Sequence, residues 1–386
     1  MSLYVALLLA QLGVGGAERQ FAELAAGLTE RGHRVRFLTL FGGGRLVHEL
    51  EARAGIVAEP LRVDRPRHAT LCLPGLRRTL ARLLAADPPD VLYAGDYAGN
   101  LLAAGAAPRR VPVVWGIRTR GSNLSLALRL LRRAARPLRG RVALAVSNSA
   151  AGLAYHRELG CLPRDSVVIP NGVDVQRFRP AESDTERAEL RGSLGLDSGR
   201  LWAGIIARFD PMKDHATFFA AARHAAARRD ELSFVVAAPD LDAVPAPLRS
   251  GAGPLGERVR FVAAGDDSAP LHRSLDVLVS SSVAEGFPNV IVEAMASGVP
   301  CAVTDAGDSR LAVGDTGRVA PTGDGAALGE AILALVAPGA PERRAQGARA
   351  RERVLSEFTL ERMVERSEDA LRAVAAGERS SPGVET

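Results

Sequence analysis

The sequence predicts an α/β protein with two doubly wound parallel-sheet domains. Two observations predict this class. Short apolar runs alternate with amphipathic helical segments, and the alternation occurs twice along the 386 residues, before and after a polar stretch at about 175–199. Apolar strands between amphipathic helices are typical of parallel sheets covered on both faces. Because such sheets bind ligands outside the carboxyl ends of their strands, we expect the two domains to face each other across a cleft.

The first half begins with the apolar run Leu3–Ala10, which we predict to be a buried strand. The run is too short to span a membrane and no basic segment precedes it, so we expect a cytoplasmic protein. The next segment, Glu18–Arg31, repeats apolar residues at helical spacing and ends at Gly32. Further strands of this half are predicted at Val35–Leu40, Val91–Ala94, Val113–Ile117, Ala143–Val146 and Val167–Ile169.

The second half follows the segment Pro170–Asp174, after which the chain becomes polar. We predict one domain at residues 1–172 and a second at 173–359. The helical pattern at about 360–376 is expected to pack back on the first domain. Strands of the second half are predicted at Trp202–Ala207, Phe234–Ala238, Val259–Val262, Val277–Ser280 and Cys301–Thr304.

The composition argues against several classes of protein. The net charge of +5 is small for this length, and no zinc finger, RNA-binding aromatic strand or long basic run indicates nucleic-acid binding. The three cysteines, Cys72, Cys161 and Cys301, lie far apart, which argues against a disulfide framework or a zinc site. We expect them to be small core residues. Lys213 is the only lysine among 49 basic residues, which suggests that arginine does not serve at this position.

The strongest local signal runs from Glu285 to Glu293. Gly286 and Pro288 interrupt the chain between the two glutamates, and Asn289 is a candidate N-cap of a helix. We therefore expect Glu285 in a loop and Glu293 one to two turns into the helix. Carboxylates suit neighbouring hydroxyl groups because they accept two hydrogen bonds in a fixed geometry. A helix with two solvated glutamates is the alternative, and the loop between them favours a binding site.

A second signal, Arg208 to Lys213, follows the first predicted strand of the second half. Two cations five residues apart across a proline turn could clamp a diphosphate, and would stabilise it most as it leaves with extra negative charge. A third signal is the glycine loop with Gly15 and Gly16, where the backbone could approach an anion closely. The loop lacks the full dinucleotide fingerprint, and a tight strand-to-helix turn explains it equally well.

Together these segments resemble the family-4 retaining glycosyltransferases of the GT-B fold, over essentially the whole chain. Four segments in order carry the resemblance: Gly15–Arg19, Pro170–Asp174, Arg208 with Lys213, and Glu285 with Glu293. The resemblance implies that the first domain lies on the acceptor side and that the second binds the donor, a nucleotide sugar.

The resemblance also implies roles for individual residues. Arg208 and Lys213 would grip the donor diphosphate, Glu293 the ribose hydroxyls, and Glu285 the transferred sugar. The backbone of Phe287, Pro288, Asn289 and Val290 would contact sugar and phosphate. The base would bind around Ala237–Pro239 and Val262–Gly265, with Val262 among the contacts. The implied reaction moves a hexose, with UDP as the favoured carrier, to a hydroxyl of a glycan, lipid-linked glycan or natural product. It needs no metal or other cofactor.

One position departs from the family pattern. Many members carry a histidine after a Val-Pro-Val-Val strand, close to the transferred sugar, whereas here Val111–Ile117 leads to Arg118. A subset with tryptophan in this strand also carries arginine. Arginine does not act as a base near neutral pH, but it binds hydroxyls and phosphates. We therefore place Arg118 in the site.

Other interpretations remain open at this stage. A nucleotide-sugar epimerase on the same scaffold needs carboxylates in both domains, and no convincing set is present. A non-catalytic nucleotide-sugar-binding module fits the arginine at position 118. A dinucleotide-dependent oxidoreductase is disfavoured, because no ribose-binding acid ends the second strand. Asp240–Asp242 is a short metal-like motif that we discount.

The basic segment 124–138 suggests an additional partner. Leu124, Leu128, Leu131, Ala135 and Leu138 form an apolar stripe, and Arg129, Arg132, Arg133 and Arg136 form another. Such a helix either packs on the core or lies on anionic lipid. A peripheral contact with the inner face of the membrane would suit a lipid-linked acceptor.

Overall fold

The computed structural model describes residues 1–13, 15–64, 72–118, 126–242, 244–246, 248 and 252–378. By its internal contacts the chain divides into two compact units. The first unit contains Met1–Gly172 and Leu360–Thr386, and the second contains Val173–Thr359.

The described part of the first unit contains a seven-stranded sheet in which every pair is parallel. Its strands are β1 (Tyr4–Leu9), β2 (Arg34–Thr39), β3 (Glu59–Pro60), β4 (Val91–Ala94), β5 (Val113–Ile117), β6 (Leu144–Ser147) and β7 (Ser166–Val168). The spatial order is β3-β2-β1-β4-β5-β6-β7. The strands predicted for this half are present. The two-residue β3 escaped prediction because it contains no apolar run.

Helices join these strands and cover the sheet with apolar faces. They are α1 (Gly16–Glu30), α2 (Leu46–Ala54), α3 (Leu73–Ala86), α4 (Tyr97–Ala106), α5 (Leu126–Ala135) and α6 (Ala150–Glu158). In α1, Phe21, Leu24 and Leu28 are fully buried, as their helical spacing predicts.

The described part of the second unit contains a six-stranded parallel sheet. Its strands are β8 (Leu201–Ile206), β9 (Leu232–Ala238), β10 (Val259–Ala263), β11 (Val277–Ser280), β12 (Cys301–Thr304) and β13 (Arg318–Ala320). Its helices are α7 (Asp184–Ser193), α8 (His215–Ala226), α9 (Ala269–Ser274), α10 (Asn289–Ala296), α11 (Ser309–Val313), α12 (Gly325–Val336) and α13 (Ala340–Glu357). The short strand β13 was not predicted.

In each sheet the strand order reverses once. The reversal lies between β1 and β4 in the first unit, and between β8 and β11 in the second, where the order is β10-β9-β8-β11-β12-β13. Loops that leave the carboxyl ends of these strand pairs run in opposite directions and open a crevice between them. The reversal points are therefore where each unit is expected to bind a ligand.

The last helix, α14 (Leu360–Ala375), belongs to the first unit and packs on α1. A side chain at Gly27 of α1 would lie 2.5 Å from a methyl group of Val364, so the contact requires glycine. Glu368 of α14 accepts hydrogen bonds from Arg31, His33 and Arg372. The Nδ1 atom of His33 accepts the backbone N–H of Leu3, so its Nε2–H faces Glu368.

The cysteines and helix α5 agree only in part with the predictions. Cys301 is buried, as expected, but Cys72 and Cys161 are only partly buried. In α5, Leu131 and Ala135 face the core, whereas Leu128 of the predicted apolar stripe is 37% exposed. Leu124 lies outside the described residues.

Candidate functional site

The loops after β8 and β11 meet at the reversal point of the second unit. Lys213 Nζ lies 2.5 Å from Glu285 Oε1, and the two side chains are 23% and 11% exposed. The backbones are joined as well, because Val283 N–H donates to Met212 O at 2.9 Å and the Ser281 hydroxyl donates to Lys213 O at 2.8 Å. The structure therefore brings the two strongest sequence signals into one crevice.

Local capping fixes the position of Lys213. The Asp210 carboxylate accepts the Met212 N–H and starts a 3₁₀ turn at Pro211–Lys213. Asp214 follows with φ of 43°, the one positive φ at a non-glycine position among the described residues. Its carboxylate then caps α8 by accepting from Thr217. Asp214 is both left-handed and the cap of α8, so the chain turns sharply there. Lys213 therefore lies at the tip of a loop that is held by hydrogen bonds on both sides.

The carboxylate of Glu285 is held on one oxygen only. Oε1 receives both Lys213 Nζ and the Ser282 hydroxyl, the latter at 2.7 Å. Ser282 is fixed in turn, because its carbonyl accepts the Thr304 hydroxyl at 2.6 Å. No contact to Oε2 is seen within the described ranges, so this oxygen is available to accept a hydrogen bond. Ser282 was not predicted from the sequence, although it belongs to the polar run Ser280–Ser282 at the end of β11.

The backbone of Glu285 rests against the loop after β12. Gly307 has φ of 56°, and a Cβ there would lie 2.2 Å from the carbonyl oxygen of Glu285. Asp308 N–H donates to Gly286 O at 3.2 Å. Only glycine satisfies both the positive φ and the close approach. Gly307 therefore supports the loop of Glu285, and this role was not predicted from the sequence.

Arg208 lies on the same loop as Lys213 and is exposed. Its carbonyl accepts the Asp210 N–H. In the described part of the chain its guanidinium has neither an ion-pair nor a hydrogen-bond partner. The loop thus presents one cation that is paired and one that is open to solvent.

Glu293 lies in the second turn of α10, as predicted. Its Oε2 is 3.4 Å from Nε2 of the fully buried His272 on α9. The expected N-cap is wrong, because the helix begins at Asn289 and Pro288 precedes it without a side-chain cap. Asn289 is the first residue of the helix and not the residue that precedes it. The first N–H groups of α10 still lack partners within the helix, as at any helix start.

Two predicted contact residues are core residues by their side chains. Phe287 is buried against Phe358, with ring centroids 5.6 Å apart. Val262 on β10 is 8% exposed and packs in the same hydrophobic cluster. A role for either is therefore confined to its backbone, and remains a prediction, as do the roles of Pro288 and Val290.

His215, at the start of α8, is a buried neighbour of this loop that the sequence reading missed. Its ring lies 5.0 Å from that of Phe209, and in the part of the chain that the structure describes its Nε2 atom has no hydrogen-bond partner. Burial lowers the pKa of His215 to about 4, with Lys213 adding to the effect and Asp214 opposing it. The imidazole is therefore neutral at physiological pH.

Arg118 ends β5 in the first unit and is held by neutral groups. It donates to the Tyr93 hydroxyl at 2.6 Å and to Asn171 Oδ1 at 3.4 Å, and its guanidinium carbon lies 4.9 Å from the centre of the Phe21 ring. Burial raises the pKa of Tyr93, although Arg118 opposes the rise, so the phenol stays neutral. Within the described ranges no carboxylate pairs with Arg118, and its buried Nε–H has no acceptor there.

The glycine loop begins α1 at the reversal point of the first unit. Gly15 precedes the helix with extended backbone angles, and Gly16 is its first residue. Asp96, after β4, ties the loop down, because its carboxylate accepts Ala10 N–H at 2.5 Å and Gly99 N–H at 2.8 Å. Burial raises the pKa of Asp96, against the effect of these hydrogen bonds. Val14 lies outside the described residues, and anion binding here stays a prediction.

The discounted signals show no ligand-binding arrangement. Asp240 accepts the backbone N–H of Asp242, which forms a local turn. Across the described ranges, no group of three or more His, Cys, Asp or Glu side chains is placed to hold a metal ion. No helix in the same part of the chain combines the length and apolarity needed to cross a bilayer.

The two units are matched by two different family models. The family model of "Glycosyltransferase Family 4" matches residues 14–177, and that of "Glycosyl transferases group 1" matches residues 200–337. The first match spans most of the first sheet and the second spans the whole of the second sheet.

Named relatives align over varying lengths. Phosphatidyl-myo-inositol mannosyltransferase of Mycobacterium leprae is 29% identical over 331 residues, which is 83% of this chain and 84% of the relative. D-inositol 3-phosphate glycosyltransferase of Geodermatophilus obscurus is 32% identical over 58% of this chain and 52% of its own length. The putative glycosyltransferase EpsF of Bacillus subtilis is 30% identical over 46% of each chain.

Solved structures share the fold along nearly the whole chain. HepE of Anabaena in complex with UDP superimposes with a TM-score of 0.80 at 21% identity, covering 97% of this chain and 100% of HepE. Sucrose-phosphate synthase of Thermosynechococcus elongatus gives 0.78 at 20% identity, with the same coverage. The predicted class of two Rossmann-like parallel-sheet domains is confirmed. With the first unit matched by the family 4 model and the second by the group 1 model, the chain is a glycosyltransferase of the GT-B fold.

Proposed function

We propose that the protein is a retaining glycosyltransferase that moves a hexose from a UDP-sugar to a hydroxyl group of a glycan, a lipid-linked glycan or a natural product. One observation carries the proposal: Lys213 and Glu285 meet at the strand-order reversal of the second unit. A cation for a diphosphate and a carboxylate for sugar hydroxyls are thereby joined where parallel sheets bind ligands.

The cations are assigned to the leaving group. In the proposed reaction the bond between sugar C1 and the diphosphate oxygen breaks, and C1 bonds to the acceptor oxygen on the same face. The acceptor's hydroxyl proton passes to the leaving phosphate oxygen. Negative charge grows on the diphosphate as the bond breaks, so fixed cations lower the barrier. Lys213, on its braced turn, and the exposed Arg208 supply this charge.

The carboxylates are assigned to hydroxyl groups of the donor. Glu285 is held through Oε1, which leaves Oε2 to accept from a hydroxyl of the transferred sugar. Glu293, 27% exposed on α10, accepts from the ribose hydroxyls. A carboxylate that is already oriented binds a hydroxyl with less loss of entropy than a mobile one.

The choice of UDP draws on proteins of the same fold. HepE of Anabaena is described in complexes with UDP, with UDP and glucose, and with UDP-glucose. These structures are about 20% identical to this chain. The shared fold supports a nucleotide-sugar donor, and UDP is the first nucleotide to test. No metal or other cofactor is part of the proposed reaction.

The acceptor is assigned to the first unit. Its reversal point carries the glycine loop with Gly15 and Gly16, and Arg118 ends the neighbouring β5. Two of the relatives named above, those of Mycobacterium leprae and Geodermatophilus obscurus, act on inositol-containing molecules by their printed names, which supports a polyol or phosphorylated acceptor. Arg118 suits such a molecule, because a guanidinium binds hydroxyls and phosphates alike.

A lipid-linked acceptor is supported by helix α5. Leu126 and Leu130 are 72% and 58% exposed, and they lie on the same face as the exposed Arg129 and Arg133. Apolar side chains beside arginines favour the interface of an anionic bilayer. We include peripheral membrane contact through α5 in the proposal.

The single lysine offers a direct test of the donor site. Reductive methylation with ¹³C-formaldehyde labels the Lys213 amine and the terminal amine, which resonate apart. Addition of UDP should shift the Lys213 dimethylamine signal, and addition of uridine should not, because only UDP carries the diphosphate. Shifts with uridine alone, or none with any nucleoside diphosphate, would contradict the assignment of Lys213.

A melting panel identifies the base and the enzyme class. The protein is melted with UDP, GDP, dTDP, ADP and NADH, alone and as Glu293→Ala. At about 100 times Kd a ligand adds roughly 2.7 kcal/mol of stability. Stabilisation by UDP that Glu293→Ala loses supports the proposal, whereas stabilisation by NADH alone contradicts it. Slow hydrolysis of the UDP-sugar without acceptor separates a transferase from a binding module, and an isomerised sugar nucleotide would indicate an epimerase.

The membrane contact has its own test. Flotation with vesicles of phosphatidylglycerol should carry the protein upward, and vesicles of phosphatidylcholine should not. Leu126→Ser with Leu130→Ser should abolish flotation without changing UDP binding. Equal flotation of the double variant would show that α5 is not the contact.

A further inference from the structure

We infer that His272 is a positioning residue for Glu293, and that it holds one carboxylate oxygen so that the other meets the ribose hydroxyls. The inference rests on the proposed function of Glu293 and deepens it. His272 Nε2 lies 3.4 Å from Glu293 Oε2, with the imidazole fully buried and the carboxylate 27% exposed. The pair thus joins the core of the second unit to the surface of its binding crevice.

The imidazole is fixed in place by its surroundings. His272 lies on the short helix α9, and its ring meets the Phe178 ring edge-on, with centroids 5.5 Å apart and planes at 78°. A ring packed in this way has little freedom to rotate. Its nitrogen atoms therefore point in fixed directions, and one of them points at Glu293.

Hydrogen-bond accounting favours a donor role for this nitrogen. Among the residues that the structure describes, neither ring nitrogen of His272 has a hydrogen-bond partner, although both are buried. A neutral imidazole always carries one N–H group, and a buried N–H without an acceptor is costly. Glu293 Oε2 is the nearest charged acceptor, and within the described ranges the carboxylate has no other side-chain partner.

The distance indicates a contact that tightens when ligand binds. An N–H···O hydrogen bond is usually about 2.7–3.2 Å long, so 3.4 Å with poor geometry is an electrostatic contact only. The last torsion of a glutamate side chain is soft, and a small rotation moves Oε2 toward the ring. A ribose diol that pulls on Oε1 would complete this rotation, because the histidine then holds the opposite oxygen.

The test measures discrimination between ribose and dideoxyribose rather than affinity alone. Calorimetric Kd values for UDP and for 2′,3′-dideoxy-UDP give a ratio that reports the hydroxyl contacts. Wild type should favour UDP, and Glu293→Gln should lose most of that preference. His272→Phe keeps the ring and its packing on Phe178 but removes the N–H. It should lower the ratio by about three- to tenfold, the value of one hydrogen bond.

Two further variants separate positioning from packing. His272→Gln places an amide N–H near the position of Nε2 and should restore most of the ratio. His272→Phe combined with Glu293→Gln should show the same ratio as Glu293→Gln alone, because the histidine acts through the carboxylate. Melting temperatures of all variants check that they fold.

The outcomes distinguish this inference from the proposal beneath it. If Glu293→Gln loses the preference and His272→Phe keeps it, the histidine is a packing residue and the inference is overturned. If wild type itself shows no preference for UDP, the assignment of ribose to Glu293 fails, and the inference fails with it. A melting temperature lowered in His272→Phe with an unchanged ratio also overturns the inference.

Discussion

The reversal points of the two sheets share one topology but treat their cations differently. In the second unit Lys213 is paired with the carboxylate of Glu285. In the first unit Arg118 is held by a phenol, an amide oxygen and an aromatic face. The Lys213–Glu285 pair carries no net charge before ligand binds, whereas Arg118 has no charged partner among the described residues.

The difference indicates two ways of preparing a site for an anion. A lysine on a carboxylate can exchange that partner for a diphosphate, and the carboxylate is then released toward a sugar hydroxyl. An arginine held by neutral groups needs no exchange, because its charge is uncompensated from the start. We therefore expect changes in the second unit to alter nucleotide binding, and changes at Arg118 to leave it intact.

The largest effect is expected at Lys213. Lys213→Met should lower the rate of sugar transfer or donor hydrolysis by about 10²–10³-fold, because a fixed cation at the leaving diphosphate is lost. Affinity for the intact UDP-sugar should fall less, because the extra charge on the diphosphate develops only as the bond breaks. Steady-state assays of UDP release and calorimetry with the UDP-sugar measure the two effects.

Lys213→Arg is the matched control at this position. It keeps the charge but replaces a compact ammonium with a planar fork, so it should recover binding better than rate. Full recovery of both by arginine would show that the single lysine carries no specific role. An unchanged rate in Lys213→Met would remove the donor site from this crevice.

The next effect is expected at Gly307, which supports Glu285. Gly307→Ala should destabilise the protein by about 3 kcal/mol and weaken UDP-sugar binding, because its Cβ would strike the Glu285 carbonyl. Gly323→Ala is the control, since Gly323 also has a positive φ, 77°, but no atom lies near its Cβ. It should cost only about 1 kcal/mol and leave binding unchanged. Equal losses in both variants would mean that the close approach is unimportant.

A smaller effect, of a different kind, is expected at Arg118. Arg118→Met should leave UDP affinity and donor hydrolysis within about twofold but reduce transfer to a polyol acceptor by about tenfold, the value of a charged hydrogen bond. Arg118→Lys should fall between wild type and Arg118→Met, because it keeps the charge without the fork. Calorimetry with UDP and assays of UDP release with and without acceptor test this pattern. If Arg118→Met weakens UDP as strongly as Lys213→Met does, the proposed contrast between the two reversal points is wrong.

The smallest effect is expected at Glu368, outside both reversal points. Burial would raise the pKa of Glu368, but hydrogen bonds from Arg372, His33 and Arg31 lower it to about 2. Glu368→Gln should lose about 1–2 kcal/mol at pH 7 without changing UDP binding. Glu365→Gln is the control on the same helix, because its pair with Arg362 is half exposed and contributes little.

The sign of the pH dependence follows from the lowered pKa. The stabilisation by Glu368 is fully present above the usual glutamate pKa of 4.5 and is lost as pH falls toward 2. Urea midpoints of wild type and Glu368→Gln should therefore differ most above about pH 4.5 and converge as the pH falls toward 2. A constant difference across this range would show that the ion pairs do not hold α14.

Much of the fold could be predicted because periodicity reports burial directly. The runs that became β1, β5 and β8 contain no charged residue and are almost wholly apolar, since strands of a parallel sheet are covered on both faces. Strands β3 and β13 have two and three residues, so they carry no periodic signal. Their pairing depends on neighbouring strands that are distant in the chain.

The candidate site, like the fold, was predictable only in part. Glu285, Glu293, Arg208 and Lys213 could be chosen as candidates from the sequence, because breaks and charged residues next to strand ends are local features. The end of a strand at Arg118 could be predicted for the same reason. The contact of Lys213 with Glu285, the support of the loop by Gly307 and the position of His272 behind Glu293 are visible only in the folded protein. These pairs join residues 21 to 72 positions apart, and their distances depend on strand order, which local patterning of a chain does not encode.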